Sequence, residues 1–236
     1  MLIGHWGQDD TLFDIAPGPF GDNMIDEKDF ENLMSYWGQE VEEPTLINHW
    51  ALDETEGTIA YDSAGENDAD VFGGALWQPT NGQVDGALLF DGIDDHIRTP
   101  FVLNPAETPF RIYVWIKGGA AGQTIISQAN GVNWLSADAS EGRLMSELVS
   151  GRGATPLVSD VVITDGDWHR IGLTWDMSRK VLYVDDVEVA SDTLAGVGTS
   201  QDDLYIGTGR RLEPGTFCSG LIDDIRICDQ QWTIPR

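Results

Sequence analysis

The feature that most constrains this chain is a period-two alternation of apolar and polar residues, repeated from about residue 46 onward. It is clearest in Phe110-Arg111-Ile112-Tyr113-Val114-Trp115-Ile116-Lys117 and in Trp168-His169-Arg170-Ile171-Gly172-Leu173-Thr174-Trp175. It returns between Leu221 and Ile227. Successive side chains of a strand point to opposite faces, so this pattern describes strands with one face in a core and one in water. Clusters of Gly, Asn and Asp punctuate the segment roughly every 8–12 residues, the spacing of sandwiches and barrels. Lys180–Asp185 and Val187–Ala190 flank an Asp185-Asp186 pair and predict a hairpin. With no long amphipathic helix in this stretch, two packed antiparallel sheets in a jelly roll are the natural solution. Trp115, Trp168 and Trp175 lie in the alternating strands and are expected in the core.

The first 45 residues read differently. Phe30, Leu33, Met34 and Trp37 stand at helical spacing, with Asp26 placed to cap the helix and Gly38 to stop it. Glu40, Glu42 and Glu43 followed by Pro44 form a short acidic linker. Leu2, Trp6, Gly7 and Gln8 recur as Leu33, Trp37, Gly38 and Gln39 at a fixed offset, 33 − 2 = 31 residues. The N-terminus thus looks like the tail of one helical repeat followed by a second, as though cut from a longer chain. The expected organisation is a helical segment and linker over 1–45 and a β-sandwich over 46–236.

Charge narrows the partners. There are 13 Lys and Arg against 40 Asp and Glu, a formal net charge of −27. Nucleic acids and anionic membranes require clustered basic residues, so both are excluded as partners. The same acidity suits Ca²⁺, which takes hard oxygen ligands. No apolar run is long enough to span a bilayer, and the start MLIGHWGQDD lacks the pattern of a signal peptide. If residues 217–228 form one strand, Cys218 and Cys228 lie about 33 Å apart at ~3.3 Å per residue, and two free thiols are expected.

Seven stretches, in order, carry a resemblance. They are His49-Trp50-Ala51-Leu52-Asp53-Glu54-Thr55-Glu56-Gly57, Tyr61–Asp68, Asp85–Asp95 with its Phe90-Asp91-Gly92, Gly166-Asp167-Trp168-His169, Leu182-Tyr183-Val184-Asp185, Leu204-Tyr205-Ile206-Gly207 and Gly220–Ile227. In kind and spacing they resemble laminin-G-like, concanavalin A-like lectin and glucanase domains. The resemblance implies an all-β antiparallel jelly-roll sandwich, often holding a structural Ca²⁺ in extracellular proteins. The loop Asp62–Asn67 offers side chains at its ends and carbonyls between for such an ion, and the resemblance places Asp223 of the last strand beside it to close the site, with Asp68 and Asp224 as alternates. Residues 14–38 resemble half of a dockerin, an EF-hand-type module. Gly21-Asp22-Asn23-Met24-Ile25-Asp26-Glu27-Lys28-Asp29-Phe30 matches that loop from its fourth position on. Asp22, Asp26 and Asp29 then fall at ligand positions, and a longer loop beginning at Asp14 supplies the first ligand. A dockerin-like segment implies a cohesin-like partner.

Other constellations read more plainly. Asp91, Asp94 and Asp95 lie between Phe90 and Ile97 and read as a tight turn between strands. Glu27, Asp29 and Glu31 mimic the alternating acids of a jelly-roll glucanase, but on a helix such residues diverge. The four histidines form no metal pair. Trp134 follows Asn130-Gly131-Val132-Asn133 and precedes polar residues, so it is the candidate exposed aromatic for stacking on a sugar. The expectation is a non-catalytic, extracellular or cell-surface binding module for a glycan or a protein, with structural Ca²⁺, belonging to a larger protein. Its rivals are a jelly-roll glycoside hydrolase or lyase, and a spacer docked through the dockerin-like segment.

Overall fold

The computed structural model describes residues 45–149, 155–194 and 196–229. These form strands β1 (Leu46–Trp50), β2 (Ile59–Ala60), β3 (Ala69–Phe72), β4 (Leu76–Gln78), β5 (Ala87–Asp91), β6 (His96–Arg98), β7 (Phe110–Gly118) and β8 (Thr124–Gln128). They continue as β9 (Asn133–Ala137), β10 (Arg143–Ser146), β11 (Leu157–Val162), β12 (Trp168–Trp175), β13 (Arg179–Val184), β14 (Val187–Thr193), β15 (Leu204–Ile206) and β16 (Ser219–Asp229). Among the described residues there is no helix. The helical segment expected near Asp26–Gly38 lies outside them.

The strands make two eight-stranded antiparallel sheets, an all-β sandwich consistent with a jelly roll. One runs β14-β13-β12-β7-β16-β5-β4, with β1 also paired to β16. The other runs β11-β10-β9-β8-β15-β6-β3-β2. The hairpin predicted at Asp185-Asp186 is present: Val184 pairs with Val187, and the two turn residues have φ of 52° and 66°. A two-residue loop with both residues left-handed matches the twist of the flanking strands, and Asp tolerates that backbone.

The last strand, β16, is the spine of the first sheet. One edge pairs along its length with β7. The other edge is shared: Ser219–Ile222 pair with β5, and Ile225–Cys228 with β1. The register against β7 shifts between Asp223 and Arg226, where the neighbour changes, and Asp224 sits there at φ 47°. Cys218 stands just before this strand and Cys228 near its far end, and both are free thiols, as expected.

The core lies between the sheets. Phe110, Ile112, Val114 and Ile116 of β7, Ile171, Leu173 and Trp175 of β12, and Ile222, Ile225 and Ile227 of β16 are buried together with Ile97, Ile126, Leu135 and Ile206 of the second sheet. Burying each such side chain contributes roughly 1.5–3 kcal/mol. Two aromatic expectations are corrected here. Trp115 and Trp168 are half-buried on the outer face, because they share their strand parity with Arg111, Tyr113 and Lys117 rather than with Phe110 and Ile112. Trp134, expected on the surface, is 0% exposed, and its indole stacks on Phe110 with centroids 4.7 Å apart.

Candidate ligand-binding site

The loop expected to hold calcium is organised around a single carboxylate. Asp62 Oδ1 accepts the backbone N–H groups of His49 (2.9 Å), Ala64 (3.1 Å) and Gly65 (3.1 Å). Its Oδ2 accepts the Asn48 amide (2.5 Å) and the Asn67 N–H (3.2 Å). Asn67 serves through its backbone, since its carbonyl accepts the Trp50 indole N–H at 2.9 Å. Burial alone would raise the Asp62 pKa, but the bonds from His49, Asn48, Ala64 and Asn67 outweigh it and hold it below the ordinary value. A carboxylate offers about four lone-pair sites, and here they are occupied by N–H donors. Asp62 is a clamp on its loop, and Asp62 with Asn67 as arranged does not fit a resident calcium ion.

Asp223 serves another loop. It is 0% exposed at the bulge of β16, and its Oδ2 accepts the N–H groups of Gln83 (2.7 Å) and Val84 (2.9 Å). Its Oδ1 has no partner. Burial pushes its pKa up to about 6 against the pull of the Val84 and Gln83 bonds, with the charges of Asp224 and Asp53 adding to the rise. Asp62 and Asp223 share no hydrogen-bond partner, and the structure does not bring them together on one loop. Asp14, Asp22, Asp26 and Asp29 lie outside the described residues.

Trp134 offers no stacking face to solvent, yet the turn just before it does reach a site. Three connections converge where β8 ends and β7, β9 and β15 begin. They enclose an open groove of about 530 Å³, lined by Asn104, Glu107, Asn130, Gly131 and the run Thr199–Asp202. Buried Asn104 staples two of the loops, its Oδ1 accepting the N–H groups of Ala106 (3.1 Å) and Ser200 (3.2 Å). The turn carrying Asn130, at φ 56°, is held by the bond from its N–H to the Arg210 carbonyl (2.9 Å). Arg210 in turn donates its guanidinium to the Gly131 carbonyl (3.0 Å).

The lining combines two carboxylates, side-chain amides and hydroxyls, and it carries no basic side chain. Glu107, Asn130, Thr199, Gln201 and Asp202 are exposed. Carboxylates accept and amides both donate and accept, so such a surface can bind neighbouring hydroxyl groups, while it repels anions. Sequence reasoning missed the groove because its residues come from three loops distant in the chain and none belongs to a recognisable motif. The only signal was the Asn130-Gly131 turn beside Trp134.

Residues 90–233 match the concanavalin A-like lectin/glucanases superfamily family of laminin G type. The chain belongs to that family. The N-terminal segment lies outside this match, and no support for a dockerin or a cohesin-like partner comes from it. Among solved structures, the sandwich is similar to domain 4 of AbnA, an extracellular arabinanase from Geobacillus stearothermophilus solved with arabinotriose. That likeness has a TM-score of 0.57 at 19% identity, covering 80% of this chain and 94% of that one. It is similar also to the binding domain of Paraclostridial Mosquitocidal Protein 1 (TM-score 0.63, 14% identity, 80% and 50% covered). Trypanosoma rangeli sialidase is a third (TM-score 0.59, 14% identity, 98% and 35% covered). The chain thus spans nearly all of the arabinanase domain and half or less of the other two.

Proposed function

We propose that this chain is a non-catalytic binding module that takes a neutral oligosaccharide in the loop-end groove, as one part of a larger secreted or surface protein. The observation that carries this reading is the lining itself: two exposed carboxylates, amides and hydroxyls on hydrogen-bonded loops, without a cation. The likeness to an arabinanase domain solved with arabinotriose, and to the binding domain of a toxin, supports a binding role on this scaffold. Sugar recognition by such a surface rests on hydrogen bonds to vicinal hydroxyls, and rigid loops limit the ordering cost of binding. Among the described residues no helix is long and apolar enough to cross a membrane.

The test is titration calorimetry against a panel of neutral oligosaccharides, arabino-oligosaccharides included, with Asn130→Ala and Glu107→Gln beside the parent chain. Binding weakened tenfold or more by both variants is expected. Equal affinity in the variants would move the ligand elsewhere, and a protein ligand becomes the better reading if no sugar binds at millimolar concentration. Release of reducing ends during incubation would overturn the non-catalytic reading in favour of a hydrolase.

A further inference from the structure

One side chain of the loop-end groove differs from its neighbours. Asn104 is only 6% exposed, whereas Glu107, Asn130 and Asp202 around it are exposed. It opens the turn 104–107, which is closed by the Glu107 and Thr108 N–H groups donating to its backbone carbonyl (3.0 Å each). Its side-chain Oδ1 accepts the Ala106 and Ser200 N–H groups at 3.1 and 3.2 Å. An N–H donates to an oxygen and not to an N–H₂, so these two bonds fix the amide: Oδ1 faces the loop backbone, and Nδ2 stands on the other branch.

The Nδ2 group is what those bonds leave over. Among the described residues it has no hydrogen-bond partner, yet it is not one of the buried polar atoms that lack one, so it reaches solvent. The solvent it reaches is the groove, which Asn104 lines. The polar atoms of a side chain this buried are as a rule all paired, because desolvating a donor without a partner is costly. Here an amide pinned from behind presents an open donor to a groove whose charged groups, Glu107 and Asp202, can only accept. Neither carboxylate forms an ion pair among the described residues.

We infer that Asn104 is the specificity-determining donor of this groove: its Nδ2 donates to one hydroxyl oxygen of a vicinal diol on a sugar ring, while the Glu107 carboxylate accepts a hydrogen from the same pair of hydroxyls. This rests on the reading of the groove as an oligosaccharide site and adds which chemistry of the sugar is read. A hydroxyl both donates and accepts, so an amide and a carboxylate from one turn complement such a pair. Because Oδ1 is held by two loops, the donor is oriented before the sugar arrives and has little rotamer freedom left to lose. A sugar lacking the diol would leave both groups unpaired, and a site that hydrogen-bonds a hydroxyl discriminates strongly against analogues without it.

The test is calorimetric titration of the full chain with arabinotriose, xylotriose, cellotriose and galactotriose. Asn104→Asp keeps an acceptor for Ala106 and Ser200 and removes only the N–H₂ donor. Expected is trisaccharide affinity lowered tenfold or more in Asn104→Asp, with Tm unchanged. In the parent chain the side-chain amide resonances of Asn104 should shift in NMR spectra as the sugar is added, a readout that does not depend on the variant folding. Parent-like affinity in a folded Asn104→Asp, or amide resonances that stay in place while the sugar binds, would overturn the inference and leave Asn104 a staple between loops, with the oligosaccharide reading intact. Absence of binding to any of these trisaccharides at millimolar concentration would overturn both.

Discussion

The indole of Trp134 on β9 rests on the ring of Phe110 on β7, stacked at 28° with centroids 4.7 Å apart. Each ring belongs to a different sheet, so this contact crosses the sandwich. Replacing Trp134 by Ala leaves a large cavity under the loop-end groove. A loss of about 3–5 kcal/mol in urea unfolding is expected, and a clearly smaller loss for Trp134→Phe. Oligosaccharide affinity should be unchanged in Trp134→Phe if folding holds, since the indole does not reach solvent.

Asp62 accepts five N–H groups that no other acceptor replaces. Asp62→Ala leaves those donors unpaired in a half-buried loop, and a loss of about 2–4 kcal/mol is expected by chemical denaturation. Its folded pKa lies below the ordinary 3.8. Its stabilisation is therefore fully present above pH 4 and is lost as pH falls through the lowered folded value. Melting curves from pH 2 to 6 should show the parent steeper than Asp62→Ala at the acid end.

Asp223 behaves in the opposite sense. Its folded pKa of about 6 exceeds the ordinary 3.8, so the folded state holds a proton that the unfolded state has released between those values. Its contribution favours folding at low pH and falls as pH rises from about 4 to about 6. Asp223→Asn keeps an acceptor for Gln83 and Val84 and removes the buried charge. Its Tm relative to the parent should rise across that window. Gly82→Ala attacks the same loop by crowding, since a Cβ would stand 1.8 Å from the Gly86 carbonyl oxygen, and it should lower Tm at every pH.

His169 supplies a third pH response. Burial alone would lower its pKa, but hydrogen bonds to Asp185 (2.9 Å) and Asp165 (3.1 Å) outweigh that and raise it above 6.5. The imidazolium thus stabilises the fold below pH 6.5, and this is lost as pH rises through the folded value. Asp185→Asn should flatten the Tm profile between pH 6 and 8, and NMR titration of His169 should show its pKa fall toward the ordinary value.

The sandwich was legible because period two is a local property. Phe110–Lys117 announced β7, and Asp185-Asp186 announced the hairpin, from neighbouring residues alone. Parity was the weaker guide. Trp115 and Trp168 looked like core residues by type, but their register with Arg111 and Lys117 puts them outside. Trp134 looked exposed by its polar flanks, but its side chain points between the sheets onto Phe110.

What the sequence by itself determined is the strand pattern, the hairpin, the free thiols and membership of the sandwich class, because strand alternation and turn chemistry are read within a few residues. The tertiary structure alone decided where the acids act. Asp62 and Asp223 bind backbone on different loops, Asp91, Asp94 and Asp95 share one turn in which Asp95 Oδ1 is buried without a partner, and Glu107, Asn130 and Asp202 meet in one groove. Those outcomes depend on long-range register, set by how β16 splits its edge between β5 and β1, and on which loops the packed sheets bring to the same end.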